Sequence, residues 1–329
     1  MEQTNFTTEQ LAYIESQKLS PDDLEANIQK VIAVSKIGKT ASDRPIAFIV
    51  GGQPGSGKSG IIGHIFENYG SNFVLVDNDE YRKHHPNVNE INEWHPEIYT
   101  ECTDQLSFAA TPRVIDAMIS QRYNMVIHQT LKNDTIIRCA IADLTKAGYV
   151  VVVNVMAADK ITSLYGELSR GQKQLGVDGT CRWVPPKNHD EAYNGLPETV
   201  KKIEEKGCYD LIEVMTRSDD PNEPTKVNII YRKRNPEISR DHFATLAEYG
   251  LNLPQITKFE TARQAVVEGR EQDADKMLEK IEGKLSEAER LPDVQRREIT
   301  PEEMSRILRL RGIGVEYAAQ KAAKGNKKD

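Results

Sequence analysis

The sequence predicts an α/β protein built on a parallel sheet with helices on both faces, and three observations predict it. Short apolar runs at Ile46-Ala47-Phe48-Ile49-Val50, Phe73-Val74-Leu75-Val76, Met125-Val126-Ile127 and Val150 to Met156 are separated by segments whose apolar residues recur at helical spacing. Strands alternating with helices are the pattern of parallel strands joined by crossovers. The run from Val150 to Met156 is almost unbroken in its apolar character, as a strand covered on both faces must be. Finally, the first run breaks directly into Gly52-Gln53-Pro54-Gly55-Ser56-Gly57-Lys58-Ser59, which fills the phosphate-loop pattern G-x-x-x-x-G-K-[ST] between a strand and a helix.

The elements follow in order. Ser20-Pro21-Asp22-Asp23 is a helix start, with Ser20 as cap and two acids against the positive end of the helix dipole. Leu24, Ile28, Val31 and Ile32 then form one apolar face, expected to pack on the core, with docking of a partner as the alternative. In the loop, glycines let backbone N–H groups converge on phosphate oxygens, Lys58 supplies a point charge, and the Ser59 hydroxyl suits a magnesium ion. Ile61, Ile62, Ile65 and Phe66 continue as a helix. The second strand ends in Asp77-Asn78-Asp79, placing two carboxylates at the strand ends, where open α/β sheets bind ligands; a helix-capping aspartate is the plainer reading of either.

Thr111-Pro112 reads as a helix start ahead of Val114, Ile115, Met118 and Ile119. The third strand runs into His128-Gln129-Thr130-Leu131-Lys132, a helix is expected from Ile136 to Ala147 with Gly148 as its stop, and Val227 to Tyr231 is the expected last core strand. Between residues 161 and 190 a basic stretch carries Arg170, Lys173, Arg182 and Lys187, which suits a lid that neutralises charge on a transferring phosphoryl group, or simply a solvated charged face. Beyond Pro236 the composition turns to helical periodicity, as in Met277, Ile281 and Leu285, with a further helix start at Thr300-Pro301-Glu302-Glu303. The expected organisation is an N-terminal helical segment over 1–45, a P-loop kinase-type core over 46–235 with its lid at 161–190, and a C-terminal helical extension over 236–329.

Composition bounds the partners. With a formal net charge of −7, the chain has no overall field that favours nucleic acid or an anionic membrane. Cys102, Cys139, Cys181 and Cys208 are scattered without a C-x-x-C pair, which suggests neither a zinc cluster nor a disulfide framework. No charged-then-apolar leader opens the chain, and no apolar run reaches the ~20 residues of a membrane span. The expectation is a soluble cytoplasmic protein.

A phosphate loop implies a nucleoside triphosphate but leaves the acceptor open. No strand ends in the Asp-Glu of a mechanical ATPase, and no guanine-reading Asn-Lys-x-Asp is present; these absences favour a small-molecule kinase. At four places the sequence resembles the zeta toxin family, the kinases of epsilon–zeta toxin–antitoxin systems. These are the loop Gly51 to Ser59 with its Gln-Pro, Val76-Asp77-Asn78-Asp79 followed by His85-Pro86-Asn87, the strands at Tyr123 to Ile127 and Val155-Met156-Ala157, and the spaced pair Arg170 and Arg182. The likeness spans roughly residues 45–235.

The resemblance implies ATP- and Mg2+-dependent phosphorylation of a sugar hydroxyl on a UDP-activated amino sugar, typically UDP-N-acetylglucosamine, which starves peptidoglycan synthesis. It also implies a small helical antitoxin covering the ATP site. Carried over by position, Asp79 is the general base, Lys58 holds the phosphates, Ser59 the magnesium, and Arg170 and Arg182 clamp the transferring group. The chain departs from the family where the sugar nucleotide is read. Zeta proteins usually follow the third strand with Glu-Gly-Thr; here His128 stands in place of the acid, Thr130 matches, and Lys132 follows. A second family carboxylate falls near Pro112, with Asp116 the nearest acid. His128, Thr130, Lys132 and Asp116 are therefore the expected acceptor-reading residues, with a core histidine as the plainer reading of His128. Alternatives to a UDP-sugar kinase are a kinase of another nucleotide-bearing hydroxyl, such as that of NAD, and an ATP-binding regulator without catalysis.

Overall fold

The computed structural model describes residues 6–95, 98–136, 140–160, 162–164, 166, 167, 170, 184, 186–218 and 226–274. Six strands form one sheet: β1 (Ile46–Gly51), β2 (Val74–Val76), β3 (Met125–Gln129), β4 (Val150–Met156), β5 (Leu211–Arg217) and β6 (Val227–Arg234). Their spatial order is β2-β3-β1-β4-β5-β6. The first five are mutually parallel, and β6 closes the edge antiparallel to β5. The expected parallel sheet flanked by helices is therefore what the chain forms.

β1 lies at the centre with all six of its residues buried, and β4 is buried along its whole length. Helices α1 (Thr8–Ser16), α2 (Pro21–Ser35), α3 (Lys58–Tyr69), α4 (Asn78–Tyr81), α5 (Val88–Trp94), α6 (Tyr99–Ser120), α7 (Ala142–Lys146), α8 (Pro186–Lys206) and α9 (Arg240–Glu248) surround it, followed by α10 over 262–274. The two sheet faces carry separate apolar clusters. One gathers Ile28, Val31, Ala47, Ile49, Val114, Ile127, Val153 and Ala265, and the other Phe48, Ile61, Ile65, Phe73, Val152 and Leu246.

Several local expectations are corrected. Thr111-Pro112 is the interior of α6, which begins at Tyr99, and not a start. The same dipeptide that opens a helix also fits inside one when the missing N–H falls on an exposed turn; Phe108, four residues before Pro112, is 62% exposed. The helix expected over 136–147, by contrast, is found where that span is described, at residue 136 and over 140–146, with Ala142–Lys146 as α7. β3 extends through His128 and Gln129. β5 was not expected at all, because Glu213 interrupts its apolar run; that carboxylate is buried, ion-paired to Arg232, and accepts a hydrogen bond from Asn154 Nδ2 (2.8 Å).

Helix α2 starts at the expected cap, with Ser20 Oγ accepting from Asp23 N (3.2 Å). Its apolar face, once a candidate for antitoxin docking, is spent on the core: Ile28, Val31 and Ile32 are buried and α2 lies along α6. Met277, Ile281, Leu285 and Thr300 lie outside the described residues.

Candidate active site

The phosphate loop leaves β1 at the centre of the sheet. Gly55 and Gly57 sit at φ of 70° and 98°, a region that side chains with a Cβ avoid. Gly57 caps α3 without a side-chain hydrogen bond, so the first amides of that helix face outward unclaimed by a capping group. Such a terminus favours an anion. Lys58 opens α3 and is buried, its Nζ donating to the carbonyl oxygens of Gly52 (2.7 Å) and Gln53 (2.9 Å). Ser56 Oγ is buried with no protein partner, and Ser59 is exposed in the first helical turn. A glycine cradle, an orphaned buried hydroxyl and a lysine folded across them fit a polyphosphate, and the exposed Ser59 oxygen suits a hard cation.

The Gln53 side chain turns away from this cradle. Its Nε2 donates to Ala158 O (2.7 Å) and lies 3.3 Å from Ser163 Oγ, tying the loop to the end of β4.

Two carboxylates leave β2 as the sequence suggested. Asp77 caps α4, its Oδ1 accepting from Asp79 N (3.0 Å), and its Oδ2 lies 3.0 Å from His128 Nδ1 at the end of β3. A carboxylate only accepts, so in this contact Nδ1 carries the hydrogen. His128 is thus not a sealed core residue; it is one-fifth exposed and bound to Asp77. Asp79 sits in the first turn of α4 with Oδ1 3.5 Å from Arg82 Nε. Arg82 is 3% exposed and also holds Asp104 (2.7 Å), Thr100 O (2.8 Å) and Thr103 Oγ1 (3.1 Å). Burial pushes the Asp104 carboxyl above its ordinary range, and Arg82 opposes that shift. Sequence reasoning missed Arg82, which lies among Lys83, His84 and His85 with only its i,i+3 spacing from Asp79 to mark it.

Beside β3 opens a cavity of about 320 Å³, lined by Thr111, Asp116, Thr130, Lys132, Asn133 and Thr135 among others. Of the residues expected to bind the acceptor, Asp116, Thr130 and Lys132 therefore meet there; His128 and Asp79 do not line it. The turn that carries them is sharply set. Leu131 adopts φ 52°, rare for a branched side chain, and lies so close over Gly51 that a Cβ there would meet Leu131 Cδ1 at 2.1 Å. Lys132 pairs with Glu191 of α8 (3.1 Å).

Of the two lid arginines, Arg170 is described and Arg182 lies outside the described residues, as does Lys173. Arg170 Nη2 pairs with Glu167 (2.7 Å). Burial raises the Glu167 carboxyl above its ordinary range, with the Arg170 and Lys58 charges opposing. The His85-Pro86-Asn87 segment is an anchor for the N-terminal helices: His85 Nε2 donates to Gln17 O (3.1 Å) and Asn87 Nδ2 to Gln17 Oε1 (3.0 Å).

Among the described residues no helix is long and apolar enough to cross a membrane. The family model described as "Zeta toxin" matches residues 31–233. Toxin zeta of Streptococcus pyogenes is 31% identical over 195 residues, covering 59% of this chain and 67% of that protein. Toxin PezT of Streptococcus pneumoniae serotype 4 is 27% identical over 181 residues, 55% of this chain and 72% of that one. A solved structure from the characterisation of the PezAT chromosomal toxin–antitoxin system of S. pneumoniae superposes with a TM-score of 0.56 at 20% identity, covering 80% of this chain and 99% of that one, which speaks for a shared fold. The family match takes in well over half of the sequence, from α2 through almost all of β6: the chain belongs to the zeta toxin family.

Proposed function

We propose that the chain is an ATP-dependent kinase that phosphorylates a sugar hydroxyl of UDP-N-acetylglucosamine or a related UDP-sugar, and that it is the toxin of a toxin–antitoxin pair, acting by blocking cell-wall precursor synthesis. The observation that carries the reading is the junction of two sites on neighbouring strands. Gly51, which opens the phosphate loop, is in register with Gln129, which opens the turn lining the cavity. A donor on the loop and an acceptor in the cavity would meet at one sheet edge, the arrangement that phosphoryl transfer by proximity requires.

In this reading Lys58 and the amides at the start of α3 hold the triphosphate, and Arg170 and Arg182 reach the transferring group. ATP would supply the phosphoryl group, and the Ser59 hydroxyl would hold Mg2+, whose charge would neutralise the triphosphate. Asp79 takes the proton of the attacking hydroxyl, with Arg82 fixing the carboxylate's direction. Asp116, Thr130 and Lys132 read the acceptor, the lysine suiting a diphosphate. The names of the relatives, Toxin zeta and Toxin PezT, support the toxin role, and the PezAT toxin–antitoxin system supports an antitoxin partner, which in this reading is small and covers the ATP site; the buried face of α2 leaves the docking of that partner to other surfaces.

Radiolabelled ATP with a panel of UDP-sugars and dinucleotides tests the reading. Label is expected on UDP-N-acetylglucosamine or a close UDP-sugar and is expected to vanish with Lys58→Ala and with Asp79→Ala. Turnover of NAD alone would refute the acceptor, and growth inhibition undiminished in both variants would refute catalysis as the cause of toxicity.

A further inference from the structure

We infer that Arg217 is a positioning residue of the phosphate loop, and that Asp273 of α10, forty residues beyond the end of the family match, steadies the segment that closes on the same loop. The inference rests on the reading of the loop as an ATP site. Arg217 ends β5, next but one to β1, and its guanidinium reaches across to the back of the loop: Nη2 donates to Gly55 O (2.8 Å) and Nε to Ser56 O (3.2 Å). A peptide carbonyl drawn to one side turns the N–H of the same peptide plane to the other. Two successive carbonyls fixed by one planar fork therefore turn the amides of Ser56 and Gly57 away from Arg217: the Ser56 N–H closes the loop on Gln53 O (3.2 Å), and the Gly57 N–H is left to face an anion.

The far side of the loop is closed equally tightly. A Cβ on Gly55 would sit 1.9 Å from Ser163 O, and one on Gly166 2.5 Å from Gly55 O. The loop is thus gripped between Arg217 and the helical turns that carry Ser163 and Glu167. Asp273 is hydrogen-bonded to one of these jaws and adds its charge opposite the other. Its Oδ2 accepts from Asp159 N (2.9 Å), at the head of the Ser163 turns, while Thr162 N donates to Asp159 Oδ2 (3.3 Å). The Asp273 and Asp159 carboxylates are also the charges that oppose the burial of Arg217. Helix α10 is seated for this: a Cβ on Gly269 would meet Ala157 Cβ at 2.8 Å and Ile230 Cδ1 at 2.7 Å, and Arg270 stacks 3.9 Å from the Tyr193 ring while donating to Tyr193 O (2.8 Å). The segment past β6 therefore bears on the loop through Asp159, which Asp273 holds at the head of the turns that carry Ser163.

The test is ATP binding by calorimetry on the full chain, with thermal midpoint and the acceptor KM measured alongside, for wild type, Lys58→Ala, Arg217→Met, Arg217→Lys, Asp273→Asn and the double variant. Arg217→Met is expected to weaken ATP binding about tenfold to a hundredfold and to leave the acceptor KM unchanged, because misplacing the loop touches the triphosphate alone. Arg217→Lys, with one point charge in place of a fork, is expected to recover less than half of that loss on a logarithmic scale. Asp273→Asn should cost about threefold to tenfold, and the double variant should bind no more weakly than Arg217→Met alone, since the two act as one unit. Hydrogen exchange at amides 55–57 should be faster in Asp273→Asn, which keeps the inference testable if Arg217→Met does not fold. No ATP binding by the wild type would sink the ATP-site reading and the inference with it. Binding by the wild type that is lost in Lys58→Ala yet stays within twofold in both Arg217→Met and Asp273→Asn would overturn the inference alone, as would full recovery in Arg217→Lys.

Discussion

Gly195→Ala sets helix propensity against packing. Gly195 lies within α8, where replacing glycine by alanine ordinarily stabilises a helix by roughly 0.5–1 kcal/mol. Here an alanine Cβ would stand 1.8 Å from the carbonyl oxygen of Lys132 and 2.7 Å from its carbonyl carbon, whereas ordinary contact begins near 3.4 Å. Both neighbours are backbone, so no side chain can rotate away, and α8 and the Thr130-Leu131-Lys132 turn must separate by about 1.5 Å. Overpacking of this kind costs about 1–3 kcal/mol, which exceeds the propensity gain. The net cost, up to about 2.5 kcal/mol after the propensity gain, should lower the thermal midpoint by up to about 4 °C in a chain of this size. The turn that moves lines the acceptor cavity, and a displacement of about 1 Å at a reacting centre costs on the order of a hundredfold in rate. Calorimetry, scanning differential and titration, together with steady-state transfer assays, should show a lower midpoint, acceptor kcat/KM down about a hundredfold, and ATP affinity within about threefold of wild type. A midpoint at or above that of wild type with unchanged acceptor kinetics would refute the reasoning.

Other outcomes follow from the same geometry. Asp79→Asn should lower kcat by at least about a hundredfold while ATP still binds, as loss of a general base requires, and is checked by single-turnover transfer and calorimetry. Arg82→Met should destabilise the chain by about 1–3 kcal/mol by denaturant titration, because it removes the partner of Asp104 and the donor to Thr100 O and Thr103 Oγ1. His85→Gln should flatten the pH dependence of stability between about pH 7 and 5. Burial holds His85 below its ordinary pKa, so the unfolded chain binds a proton that the folded chain refuses. The stability contributed by the neutral ring is complete above about pH 6.5 and drains away as the pH falls, and the variant lacks that slope; equal slopes in urea titrations at pH 7 and 5 would contradict this.

The central half of the fold was legible because its strands carry their burial openly. β1 and β4 are apolar from end to end, and a glycine-rich turn with Lys-Ser can do little else between strand and helix. β5 was hidden by Glu213, a carboxylate that pairs inside the sheet with a residue nineteen positions away, Arg232; long-range ion pairing leaves no local periodicity to read. Pro112 misplaced a helix start for the opposite reason, since one local signal has two tertiary uses. At the site, the residues that touch ligand in the proposed reading were recoverable from motif and spacing: Lys58, Ser59, Asp79, Thr130 and Lys132. Those that hold them, Arg82, Arg217 and Asp273, were not. Their meaning lies in distances across the fold, and an arginine that braces a carbonyl looks in sequence like any solvated charge.

The order of the sheet divides labour on either side of β1. What would read the acceptor hangs from the β2–β3 flank, while what braces the phosphate loop comes from β4, β5 and the helix beyond them. The two flanks meet at one contact, Leu131 closed over Gly51, so the turn beside the cavity and the start of the phosphate loop must be placed together.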